Sequence, residues 1–156
     1  MSEPAASRRL AISWIRLHSD CLALVEKLRP HGPFSALITV TRGGLVPASI
    51  VARELSLRVV ETISIASYER ELRGELRYLK EIAPRFLQDR GAGVLIVDDL
   101  SDTGQTASAL RQLLPGALLA TVYAKPLGVP HIDLFVEAVP QDTWIDFPWD
   151  LAPDNG

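Results

Sequence analysis

The chain has 156 residues, enough for one domain with a sizeable core, and 47% of them are hydrophobic and 22% charged, an ordinary balance for a globular protein. Its net charge of -3, from 16 basic and 19 acidic side chains, leaves no basic footprint for nucleic acid. A lone cysteine, Cys21, excludes an internal disulfide framework and a cysteine-rich metal site.

Residues 1–9 read as a disordered lead-in. The apolar run Leu10–Ile15 contains a serine and is cut by Arg16, too short for a secretory signal. No stretch approaches the ~20 apolar residues that span a bilayer, so a cytoplasmic protein is expected. "SWIRLHSDCLALVEKLRP" then carries apolar residues at Trp14, Leu17, Cys21, Leu24, Val25 and Leu28. That spacing predicts a helix ending before Pro30, with Cys21 as a packing residue.

"FSALITV" reads as a buried strand and "TRGG" as a loop, and "LVPASIVARELSL" as a helix that tolerates Pro47 in its first turn. "RVVETISIAS" is a second strand, "GVLIVDD" a third, "GQTASALRQLL" a helix and "ALLATVYA" a fourth strand. Strands alternating with helices predict an α/β fold with a mostly parallel sheet. Residues 68–90 are highly charged and weakly patterned and read as a mobile loop. From about residue 133 to 151 the alternation breaks into a Pro-, Trp- and Asp-rich hood.

In parallel α/β sheets ligands bind beyond the carboxyl ends of strands. Two loops fall there, "TRGG" and "DDLSDTGQT". In the second, a helix starting near Gly104 turns unpartnered N–H groups and its positive dipole end into the loop. With the Thr103 and Thr106 hydroxyls they make an anion site suited to a phosphate. Asp98 and Asp99 would repel that phosphate. Adjacent carboxylates suit a sugar diol, or Mg²⁺ held directly or through water. A ribose between a phosphate and a metal-bound group satisfies both halves. A receiver domain also places acids at strand ends, but takes them from different strands, and the G-x-G-x-x-G and G-x-x-x-x-G-K-[ST] signatures are absent. No H-x₃-H or E-x-x-H spacing points to zinc, and His18, His31 and His131 have no assigned role.

"VLIVDDLSDTGQT" resembles the phosphoribosyl-diphosphate signature of type I phosphoribosyltransferases. "TRGGLVPASIVARELSLR" is similar to the pyrophosphate loop and following helix of bacterial xanthine-guanine phosphoribosyltransferases. "VYAKPLGVP" and "VPQDTWIDFPWD" look like their base-binding strand and hood. The resemblance covers about residues 12–151. It implies a purine-salvage enzyme that joins guanine, xanthine or hypoxanthine to phosphoribosyl diphosphate with Mg²⁺ and releases pyrophosphate.

Residue by residue, the resemblance implies that Arg42 and Gly43 bind the pyrophosphate, with a non-proline cis peptide at Thr41–Arg42. Asp98 and Asp99 take the ribose hydroxyls, and Asp99 is linked to the metal. The phosphoribosyl-diphosphate motif runs on through Leu100 and Ser101, and Asp102, Thr103, Gly104, Gln105 and Thr106 cradle the 5′-phosphate. Asp102 is the general base at purine N7 and can also cap the helix. Lys125 donates to the 6-oxo group, and Trp144 and Ile145 border the 2-position. Gly74 stands where some members carry an arginine, with Arg73 one residue earlier. The family also implies a homotetramer and, for some members, peripheral association with the inner membrane. The competing expectation is a non-catalytic regulator that senses phosphoribosyl diphosphate.

Overall fold

The computed structural model describes residues 8–67 and 76–150. The first helix, α1 (Trp14–Leu28), is capped by Ser13, whose Oγ accepts from Arg16 N at 3.1 Å. It buries Leu17, Cys21, Leu24, Val25 and Leu28, the stripe expected from the sequence, while Trp14 stays exposed. Burial pushes the Cys21 thiol up to about 12, so it packs as an inert apolar group.

A six-stranded sheet forms the centre. It comprises β2 (Ala36–Val40), β3 (Val60–Ser67), β4 (Leu76–Lys80), β5 (Val94–Ser101), β6 (Leu118–Ala124) and β7 (Leu134–Ala138). The order is β4-β3-β2-β5-β6-β7, and every pairing is parallel except β3 with β4. Every residue of β2 is buried, as both faces are covered. On one face α1 and α2 (Leu45–Glu54) pack on Leu37, Leu95, Val97 and Val122. On the other, Leu110 and Leu114 from α4 (Gln105–Leu113) and the residue after it pack on Ile38, Ile63 and Ile96.

The sheet grows outward from β2 to β3 and from β5 to β6. The direction therefore reverses between β2 and β5, whose carboxyl ends adjoin. A crevice opens at such a reversal. Parallel pairing thus brings the loop after β2 and the loop after β5 to one place, which the sequence left conditional.

Three boundaries differ from expectation. Arg8 and Arg9, assigned to the lead-in, open a strand, β1 (Arg8–Ala11), that pairs in parallel with β8 (Thr143–Asp146). Arg9 grips Asp146 with two hydrogen bonds, Nε to Oδ2 at 3.0 Å and Nη2 to Oδ1, which hold that carboxyl below its usual range. A four-residue strand with one paired edge has no signal in the sequence without its distant partner.

The charged segment is not one mobile loop. Residues 68–75 lie outside the described residues, as do Tyr68, Arg73 and Gly74, but 76–90 form β4 and the short helix α3 (Arg85–Gln88). Ile82 and Phe86 are buried there, and Glu61 on β3 binds Lys80 and the Ala83 N–H. The hood begins later than residue 133, because β7 completes the main sheet beside β6. What remains after Ala138 is the β8 turn and an aromatic stack, Phe147 on Trp149 at 4.8 Å between ring centroids. Among the described residues no helix is long and apolar enough to cross a membrane.

Candidate active site

β5 delivers the acidic residues. Its apolar half, Val94–Val97, is buried, and the strand continues through the acid pair to Ser101, two residues beyond expectation. The extension is real pairing: Leu100 stands opposite Tyr123 and Ser101 opposite Ala124. Asp98 and Asp99 therefore sit on a strand, half-buried, with Asp99 N donating to Asp98 Oδ1 at 2.8 Å. Removal from water, and then the charge of Asp99, hold the Asp98 carboxyl well above the usual carboxylate range. Desolvation raises Asp99 as well. Two carboxyls held this way favour a cation or hydroxyl donors between them.

The loop after β2 meets them. Thr41 N donates to Ile63 O at 2.9 Å, the Thr41–Arg42 peptide is cis, and Gly44 N closes the turn on Val40 O at 2.8 Å. Gly43 lies so close to Asp99 that a Cβ there would be 2.3 Å from Oδ2. Gly44 is equally confined by Val40 O, Thr39 Oγ1 and Val97 O. Both glycines are needed for close approach. Arg42 remains exposed.

After Ser101 the chain turns through Asp102, Thr103 and Gly104 into α4. Gly104 is the N-cap residue, with φ of +85°, and no side chain caps the helix. The expectation that Asp102 caps it fails. The Asp102 carboxylate points elsewhere, and the first N–H groups of α4 stay open for an anion, as a phosphate cradle requires. Gln105 begins the helix and Thr106 follows it, half-buried. A cavity of about 120 Å³ borders Asp98 and this loop, and a larger cleft of about 660 Å³ runs from Gly104 to Tyr78 and His131.

Asp102 faces β6 instead. Lys125 Nζ donates to Asp102 Oδ2 at 3.0 Å, and Gln141 Nε2 donates to Oδ1 at 2.8 Å. Lys125 is only 5% exposed, although Asp102 is half-exposed. Its backbone is clamped: Lys125 N donates to Ser101 O at 2.9 Å, and Gly128 N to Lys125 O at 2.8 Å. Ser101 Oγ donates to Gly128 O at 3.0 Å, which locks the β5 and β6 ends together.

Trp144 and Ile145 lie in β8 on opposite faces. Ile145 is buried in the core and Trp144 half-buried. Two residues near the loop escaped sequence reasoning. His131 packs its ring on Gly104, where a Cβ would be 2.1 Å from Cδ2. Gln141 bonds Asp102 from a turn 39 residues away. His131 belongs to no local pattern, and Gln141, though inside the quoted hood motif, shows no sign in consecutive residues of its reach to Asp102. Among the described residues no cluster of three or more His, Cys, Asp or Glu could cage a metal by itself.

The model of the phosphoribosyl transferase domain family matches residues 20–155. A purine phosphoribosyltransferase from Pyrococcus horikoshii is similar over 93% of this chain and 95% of its own, at 26% identity and a TM-score of 0.72. The Helicobacter pylori xanthine-guanine-hypoxanthine phosphoribosyltransferase shares the fold at 24% identity and a TM-score of 0.77, over 92% and 95%. A Neisseria gonorrhoeae protein with bound ppGpp shares it at 23% and 0.70, over 92% and 90%. A strand-borne acid pair running into an open helix start, on a sheet matched nearly end to end, places the chain in the phosphoribosyl transferase domain family, with the type I fold.

Proposed function

We propose that the protein transfers the 5-phosphoribosyl group of phosphoribosyl diphosphate to guanine, xanthine or hypoxanthine, releasing pyrophosphate and forming the nucleoside monophosphate. The observation that carries this reading is the Lys125–Asp102 pair, 3.0 Å from Nζ to Oδ2, beside the phosphate loop. A 6-oxopurine presents an acceptor, O6, next to N7. A donor-only ammonium beside a carboxylate fits O6 with a protonated N7, and it disfavours adenine, whose 6-amino group is a donor. The Pyrococcus neighbour, named as a purine phosphoribosyltransferase, supports the purine class.

In this reading the open N–H groups of α4, with Thr103 and Thr106, take the 5′-phosphate. Asp98 and Asp99 take the ribose hydroxyls, and their charge favours the positive character that grows on the ring. Arg42 and the Gly43 backbone hold the diphosphate. Asp102 accepts the N7 proton. Backbone groups at Trp144 and Ile145 meet the 2-position. Mg²⁺ fits the site as a cation held by Asp99 and mainly by substrate phosphates, since the desolvated acid pair welcomes positive charge and no three-ligand cage exists among the described residues. When bound, it would neutralise the diphosphate as it leaves. Positioning and exclusion of water supply the rest. Homotetrameric assembly belongs to the same proposal and is checked by sedimentation.

The test is a turnover assay of the purified protein with Mg²⁺, phosphoribosyl diphosphate and each purine base. Nucleotide from guanine, xanthine or hypoxanthine, and not from adenine, is expected. Tight binding of phosphoribosyl diphosphate with no nucleotide from any base would favour the sensing regulator instead.

A further inference from the structure

The hood motif "PQDTWID" places Gln141 against Asp102. Gln141 occupies the turn that opens β8, where Thr143 N donates to Pro140 O at 3.1 Å. Its side chain reaches back to the phosphate loop and makes three contacts. Leu127 N donates to Oε1 at 2.9 Å, while Nε2 donates to Asp102 Oδ1 at 2.8 Å and lies 3.3 Å from Asp102 O.

The chemistry of these partners leaves one orientation for the amide. A backbone N–H can only donate, so the oxygen must face Leu127. The NH₂ must then face Asp102, whose Oδ1 accepts from it. The contact is thus not interchangeable with a flipped amide. One oxygen of Asp102 is thereby committed to a neutral donor that cannot release a proton. The other, Oδ2, is shared with Lys125, the group expected at O6.

We propose that Gln141 is a positioning residue for phosphoribosyl transfer: it holds the Asp102 carboxylate so that Oδ2, beside Lys125, receives the N7 proton. This rests on the reading of Asp102 as proton acceptor. As N9 bonds to C1′, the C1′–O bond breaks with its electron pair on the departing diphosphate. The N7–H bond breaks, its pair returns to the purine ring, and the proton bonds to Oδ2. Gln141 moves no proton. Because the same side chain bonds Leu127 in the loop after β6 and Asp102 in the phosphate loop, it also ties the hood to both.

Gln141→Glu is the discriminating variant. It keeps the size and an acceptor for Leu127 N but replaces the donor with a carboxylate. The charged groups around Asp102 are Lys125, just after β6, and Asp98 of β5, which lines the same cavity; Asp142 follows Gln141 in the turn. A further negative charge there raises the cost of ionising Asp102. In the full-length protein, kcat is expected to fall about tenfold in Gln141→Ala and further in Gln141→Glu. The acid limb of the kcat–pH profile moves upward in both variants, because each loses the donor to Asp102, and further in Gln141→Glu, while KM for phosphoribosyl diphosphate stays within about twofold. Parental kcat and pH profile in Gln141→Glu, with Asp102→Asn still impaired, overturn the proposal. Parental turnover in Asp102→Asn overturns the proton-acceptor reading instead. One measurement does not depend on activity: the Gln141 side-chain amide resonances of the ligand-free protein. They are expected to shift in Asp102→Asn, and unshifted resonances also overturn the proposal.

Discussion

Gly43 and Asp99 touch across the crevice: a Cβ on Gly43 would lie 2.3 Å from Asp99 Oδ2. The loop after β2 and the acid pair on β5 are therefore parts of one surface, pressed together with room for backbone and nothing more. Gly43→Ala should wedge them apart. Overpacking of this kind costs about 1–3 kcal/mol of stability, and the displaced loop should also raise KM for phosphoribosyl diphosphate. Steady-state kinetics check it, and an unchanged KM would show that this contact plays no part in substrate binding.

Asp102 and Lys125 should fail in different ways although they are bonded to each other. In the proposed reading Asp102→Asn keeps the shape and loses the proton acceptor, so kcat should fall by roughly 10²–10⁴-fold with ligand binding retained. In the same proposed reading Lys125→Ala loses a charged hydrogen bond to the base, worth about 1.5–3 kcal/mol, and should raise KM for 6-oxopurines about 10- to 100-fold. If Lys125→Ala leaves base affinity intact, the ammonium does not contact O6.

The Gly104–His131 contact predicts a rescue. Gly104→Ala forces a side chain into a φ of +85° and into the His131 ring. The backbone part costs about 1–2 kcal/mol, and the steric part adds to it. His131 is exposed, so His131→Ala alone should be nearly neutral. Combined with Gly104→Ala it should recover the steric part. Denaturant melts of the two single variants and the double variant measure this coupling, and strictly additive losses would contradict it.

Asp98 carries a stability cost at neutral pH. Its folded pKa is raised above the ordinary 3.8 by burial and then by Asp99. A carboxyl raised on folding favours the native state fully below its unfolded value and loses that contribution as pH rises through the folded one. Asp98→Asn should therefore raise the Tm of the ligand-free protein at neutral pH, with the gain shrinking towards pH 4. Affinity for phosphoribosyl diphosphate should drop in the same variant. A Tm difference independent of pH would show that the carboxyl is not strained by burial.

The central strands and three long helices were legible because burial on one face imposes a period on nearby residues. The stripe from Leu17 to Leu28 follows that rule, whereas the run Val94–Val97, buried on both faces of the sheet, shows as an unbroken apolar stretch. β1, β4 and β7 were missed or misread. The first two are short edge strands whose only support is a partner strand distant in the chain or across a connection, and β7 was hidden in a segment taken for the hood.

The sequence by itself determined the acid pair, the small-residue loop that follows it and the glycine loop, because each is written in consecutive residues. It did not determine how they meet. Parallel pairing of β2 with β5 joins the two loops, and pairing of β5 with β6 delivers Lys125 to Asp102. Asp102 turned out to be no helix cap, because two distant donors, Lys125 and Gln141, occupy its carboxylate. The competition between a local cap and long-range hydrogen bonds is settled only when the chain folds, since the winning partners lie 23 and 39 residues away.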